Sequence, residues 1–113
     1  MVKGIKLVSV RTLKLQEVLR FYETFGMKFL DHQGGNLEEL RYSSFFPNGS
    51  LFVILKGDPS KNKIGFEAKQ LSVIQSTLRE KSFEFELIHR HGRPTIQIRD
   101  PDSRLIEIVE ADT

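Results

Sequence analysis

The sequence predicts an α+β protein: two βαβββ modules forming a curved mixed sheet with a ligand cup. Two observations predict it. First, both halves of the chain end in the same way. Residues 47–56 read PNGSLFVILK and residues 101–110 read PDSRLIEIVE, each a Pro-Asn/Asp-Gly/Ser turn before an apolar strand. A repeat sets the architecture before any local signal does. Second, the halves align along their length. At an offset of 56 residues Val8 matches Ile64, Val10 matches Phe66, Leu15 matches Leu71, Val18 matches Ile74 and Phe29 matches Phe85. At the last strand the offset is 54, which matches Leu51 with Leu105 and Ile54 with Ile108, so the first half is two residues longer in its hairpin.

Each element follows from local pattern. Residues 5–10 alternate and are rich in β-branched side chains, which predicts a strand. From Lys14 the period changes: Leu15, Val18, Leu19, Tyr22 and Phe25 recur at helical spacing. Gly26 suits the end of that helix, because glycine accepts the left-handed C′ conformation. Residues 27–32 predict a strand, Gly34-Gly35-Asn36 a turn, residues 39–46 a third strand, Pro47-Asn48-Gly49 a tight turn and residues 50–56 a fourth strand. The polar run GDPSKN follows, and then the pattern restarts. Residues 63–68 predict a strand. Leu71, Ile74, Leu78 and Gln75 mark a helix with Ser72 in its first turn. Residues 82–88 predict a strand with Phe83, Phe85 and Leu87 on one face. Gly92-Arg93-Pro94 reads as a turn, residues 95–99 as a strand, residues 100–103 as a turn and residues 104–110 as the last strand. The expected organisation is one domain over 1–113, with module one at 1–57, a linker at 58–62 and module two at 63–113.

Composition narrows the function. At 113 residues the chain can bury a real core. It has no cysteine, which removes disulfides, thiolate metal sites and cysteine nucleophiles together and accords with an expected cytoplasmic location. No signal peptide is expected at the N-terminus, and no stretch approaches the roughly 20 apolar residues of a membrane span. The net charge of +2 is modest, so neither nucleic acid nor membrane is an expected partner. Phosphate-cradling glycine loops, HExxH and Ser-His-Asp signatures are absent from the sequence.

Three pieces of the chain resemble the vicinal oxygen chelate superfamily, which includes glyoxalase I, bleomycin resistance proteins and extradiol dioxygenases. LRFYETFGMKF is similar to the family's FY-x-x-x-x-G-F segment, with one residue fewer before the glycine. RDPDSRLIEIVE is similar to its DPDGN-x-I-E-L ending, with Ser103 in place of the glycine. The paired βαβββ order is the third piece. The resemblance implies a cup that often holds a divalent metal, and often a dimer; a homodimer is expected here. It places the metal ligands on the first and last strands of each module. Those positions fall at Leu7, Val53, Lys63 and Glu107, and of these only Glu107 can be a ligand. A hard divalent ion needs several converging oxygen or nitrogen donors. No metal and no cofactor are therefore expected.

Alternation places Leu105, Glu107 and Val109 on the cup side of the last strand, with Ile106 and Ile108 towards the helix. Glu107 is then a candidate catalytic acid or base, or a carboxylate salt-bridged to a neighbour, with Lys63 as one such neighbour. On the preceding strand Gln97 and Arg99 share the cup side. Arg99 offers a planar fork for a carboxylate or phosphate, unless Glu107 or Asp100 takes it. Lys63 and, on the third strand, Arg41 and Tyr42 near Phe45 and Phe46 complete the ligand-binding candidates with Gln97 and Arg99; aromatic residues there stack on a planar ligand or belong to the core. His89 and His91, two apart on a strand, would face the same way.

The function expected is metal-independent binding of a small organic molecule. A net positive charge favours an anionic or aromatic ligand over a cationic one. The alternatives are a metal-dependent lyase, dioxygenase or thiol transferase of the glyoxalase type, which predicts bound metal, and a non-catalytic interaction module, which predicts no pocket.

Overall fold

The computed structural model describes residues 1–31 and 41–111. The chain divides between Ser60 and Lys61 into two compact units, module one and module two. The turn expected at 34–36, together with His32, Glu39 and Leu40, lies outside the described residues.

Module one runs β1 (Leu7–Thr12), α1 (Leu15–Glu23), β2 (Leu30–Asp31), β3 (Arg41–Phe45) and β4 (Leu51–Lys56). Its sheet has the order β1-β4-β3-β2, with β1 parallel to β4 and the remaining pairs antiparallel. Module two repeats this as β5 (Ile64–Ala68), α2 (Leu71–Glu80), β6 (Glu86–Arg90), β7 (Arg93–Arg99) and β8 (Leu105–Glu110), in the order β5-β8-β7-β6. Each module is therefore a βαβββ unit with a four-stranded mixed sheet, as the repeat predicts.

The helices bury the faces that their spacing marks. Val18, Leu19, Phe21 and Tyr22 of α1 are buried, and Tyr22 packs on Phe52 of β4 with ring centroids 4.9 Å apart. In module two Leu71 and Leu78 of α2 close over Ile96, Ile98, Ile106 and Ile108, all buried. Each such side chain contributes about 1.5–3 kcal/mol. Gly26 has φ +85°, the left-handed turn expected after α1.

Four boundaries differ from expectation. Strand β2 begins at Leu30 rather than at 27. The first strand lies later in the sequence, because its ladder pairs Leu7 through Thr12 with Leu51 through Lys56; Thr12 is buried and Ile5 remains exposed. Strand β6 begins at Glu86 rather than at 82. Ser82 has φ +59°, and the ladder with β7 starts only at Glu86, opposite Gln97. Strand β7 begins at Arg93, so the tight turn is His91-Gly92 and Pro94 is a strand residue. His91 and Gly92 have φ of +53° and +76°, the pattern of a two-residue hairpin loop. Pro94 faces His89 at the start of β7, before the pairing with β8 begins at Thr95, so its missing N–H costs that ladder nothing.

Candidate functional site

Strand β8 is an inner strand, with β5 on one side and β7 on the other. Residues directly opposite on paired strands share a face. Gly65, Glu107, Gln97 and Glu86 therefore form one row across module two. Lys63 precedes Gly65 by two residues, and Arg90 follows Glu86 by four, so alternation places both on that same face. Ile106 and Ile108 take the opposite face, against the helix.

This register gathers a charge cluster on Glu107. Lys63 Nζ and Arg90 Nη2 each lie 2.9 Å from Glu107 Oε1. Arg90 Nε donates to Oε2 at 3.4 Å, and Gln97 Nε2 donates to Oε1 at 3.3 Å. The Glu107 side chain is 8% exposed, whereas those of Lys63 and Arg90 are 53% and 48% exposed. A buried carboxylate thus lies beneath two half-exposed cations. Hydrogen bonds from Arg90 and then Lys63 outweigh desolvation and lower the Glu107 pKa from 4.5 to about 2. A general acid or base works best with a pKa near the ambient pH. Glu107 is instead a fixed anion, well suited to orienting cations. Two cations and one carboxylate leave the cluster with one net positive charge. A Cβ built on Gly65 would meet nothing within 4 Å, so the space beside Glu107 is open.

The other expected site residues divide. Gln97 and Arg99 line a cavity of about 640 Å³ in module two, with Leu105 and Phe83. Arg99 Nη1 donates to the Ser103 carbonyl at 3.0 Å, and among the described residues Arg99 forms no ion pair. Arg41 and Tyr42 belong to module one and do not share a face. Tyr42 pairs with Ile54, on the side of the helix, while exposed Arg41 pairs with Leu55. His89 and His91 do not act as a pair, because His91 sits in the turn with φ +53° and only His89 is in the strand.

Sequence reasoning missed Arg90 as the main partner of Glu107. Its side chain reaches across β7 from the far strand, so no local spacing announces the contact. It also missed a second cluster. The Arg104 side chain is fully buried, with Nε 2.6 Å from Asp100 Oδ2 and Nη2 3.0 Å from Asp102 Oδ2. Asp100 Oδ1 accepts the backbone N–H groups of Asp102 and Arg104, both at 2.9 Å. The DPDSR turn is thus a closed ionic clasp of the β7–β8 hairpin. Its alternating Asp-x-Asp-x-Arg order was the available signal.

The residues at the implied metal positions do not suit a divalent ion. Leu7 and Val53 have no donor, and Lys63 brings an ammonium to the one carboxylate, Glu107. No group of three or more His, Cys, Asp or Glu side chains gathers among the described residues. No helix among the described residues is long and apolar enough to cross a membrane.

No protein-family model matches the chain, and no curated protein matches it. Solved structures do. A glyoxylase/bleomycin resistance protein/dioxygenase domain from Frankia sp. superposes with a TM-score of 0.79 at 17% identity, covering 99% of this chain and 100% of that one. Lactoylglutathione lyase from Agrobacterium tumefaciens gives 0.75 at 13% identity, covering 97% and 95%. A fosfomycin resistance protein from Mesorhizobium loti gives 0.72 at 13% identity, covering 99% and 94%. The chain shares the fold of these proteins over 97–99% of its length.

Proposed function

We propose that the protein binds a small organic molecule without a metal, on the open face of the module-two sheet. The observation that carries this is the cluster on Glu107. Where the resemblance implies metal ligands, Lys63 and Arg90 neutralise the single carboxylate, and their half-exposed charges remain available to a ligand. Gln97 and Arg99 extend this face into the cavity. A guanidinium has five N–H donors, and Arg99 gives one to Ser103, so a carboxylate on the ligand can take others. Glu107 acts here by holding Lys63 and Arg90 in place. A cytoplasmic homodimer fits this proposal.

The test joins metal analysis to a stability screen. The dialysed protein is expected to retain no stoichiometric divalent ion, in wild type and in Glu107→Gln alike. Millimolar 3-phenylpropionate or benzoate is expected to raise the melting temperature, because a ligand of the native state stabilises it by mass action. Arg99→Gln is expected to abolish that rise. About one divalent ion per chain, lost in Glu107→Gln, would instead establish the metal-dependent alternative.

A further inference from the structure

We infer that the module-two cavity takes a zwitterionic aromatic molecule, with a carboxylate and an ammonium close together, as in a free aromatic amino acid. This rests on the small-molecule binding proposed above and names its ligand class.

The charges around the cavity are of both signs. Arg99 lines it from β7, Glu86 from the start of β6, and Glu84 from just before β6. Glu86 pairs with Gln97, two residues before Arg99, so Glu86 and Arg99 are diagonal neighbours on adjacent strands. Diagonal neighbours lie roughly 7–8 Å apart, within reach of long side chains. They nevertheless do not meet. Arg99 turns to the Ser103 carbonyl, and neither Glu84 nor Glu86 forms an ion pair among the described residues. Opposite charges thus face one cavity without neutralising each other.

That arrangement discriminates between ligand charges. A simple anion would meet one guanidinium and two carboxylates. A simple cation would leave Arg99 unmatched. A molecule carrying both charges can satisfy both sides, its carboxylate on the Arg99 fork and its ammonium between the two carboxylates. The apolar part has a surface as well: Phe83, Phe85 and Leu105 line the same space. Arg79 lies 5.8 Å over the Phe85 ring, whereas Phe83 is among the exposed large apolar side chains. Phe83 and Phe85 together give a planar ligand an aromatic wall in that cavity. A volume of about 640 Å³ admits a molecule the size of phenylalanine.

Titration calorimetry with phenylalanine, 3-phenylpropionate and phenethylamine tests this. Phenylalanine is expected to bind at least about tenfold more tightly than either singly charged analogue, the worth of one charge-assisted hydrogen bond. The double variant Glu84→Gln/Glu86→Gln should reduce phenylalanine to the affinity of 3-phenylpropionate. Arg99→Gln should reduce it to that of phenethylamine. These side chains are exposed, so the variants should melt like wild type. If 3-phenylpropionate binds as tightly as phenylalanine, or the double variant changes nothing, the zwitterion is wrong while metal-free binding stands. If no amino acid, arylalkanoate or benzoate binds, both fall.

Discussion

The two modules share one backbone and differ in what they put on it. The turns before β4 and β8 show this most clearly. In module one the Gly49 N–H donates to the Phe46 carbonyl at 2.9 Å, and the Phe46 N–H to the Ser50 carbonyl at 2.9 Å. In module two Ser103 donates to Asp100 at 2.8 Å and Asp100 to Arg104 at 3.1 Å. The backbone bonds are the same, position for position. Module one completes its turn with Asn48 Oδ1, which accepts from the Ser50 N–H and hydroxyl. Module two completes it with three buried charges. On the faces turned away from the helices, buried Val53 pairs with buried Ser43, whereas Glu107 pairs with Gln97 and gathers Lys63 and Arg90. A βαβββ unit therefore does not require ionic groups at these points. In module two the turn charges close a buried clasp, and the Glu107 cluster forms the proposed binding surface.

The largest expected difference lies in the turns. Arg104→Ala would leave Asp100 and Asp102 buried without their cation, at a cost of about 3–5 kcal/mol. Ser50→Ala, the matching change in module one, should cost about 1 kcal/mol or less. Denaturant unfolding of the two variants compares them directly, and equal losses would dissolve the contrast.

A smaller effect concerns Glu107. Its pKa falls from 4.5 to about 2 on folding. A carboxyl with a lowered folded-state pKa stabilises the protein fully above its unfolded value, and that contribution fades as the pH drops towards the folded one. Stability should therefore fall between pH 4.5 and about 2 with a component that Glu107→Gln lacks. Water around the half-exposed cations holds that component to about 1–2 kcal/mol. Identical pH profiles for wild type and variant would remove Glu107 as the fixed anion.

The smallest effect has the opposite sign. Gly26 and Gly49 have φ of +85° and +86°, and the matching positions in module two, Ser82 and Ser103, have +59° and +64°. Module two thus holds two side-chain-bearing residues in the conformation for which module one uses glycine. Ser82→Gly and Ser103→Gly should each stabilise by about 0.5–1 kcal/mol, read as a rise in melting temperature. A loss from either would mean that its side chain compensates for the strain.

The sequence carried the fold because the repeat and the helix faces are local patterns. Val18, Leu19 and Tyr22 on α1, and Leu71 and Leu78 on α2, are buried where their spacing puts them. The Lys63–Glu107 contact was also legible, since the resemblance brings those two positions together on the first and last strands of the second half. Arg90 was not. Its contact depends on the hairpin register, and Gly92-Arg93-Pro94 misplaced that hairpin because proline resembles a turn signal even where it opens a strand. Arg104 was hidden for a different reason: arginine is almost never fully buried, so a strand residue of that type reads as solvent-facing.

The two-residue loop at His91-Gly92 now acquires a second significance. Side chains alternate with a period of two, so a slip of one residue in this hairpin would turn Arg90 to the helix side. Glu107 would then lose its fork while the hairpin itself survived. Arg90 comes from the outermost strand of its sheet, where fraying begins, and Glu107 from an inner one. The proton affinity of a single inner carboxylate thus serves as a gauge of whether the rim of the sheet is correctly zipped.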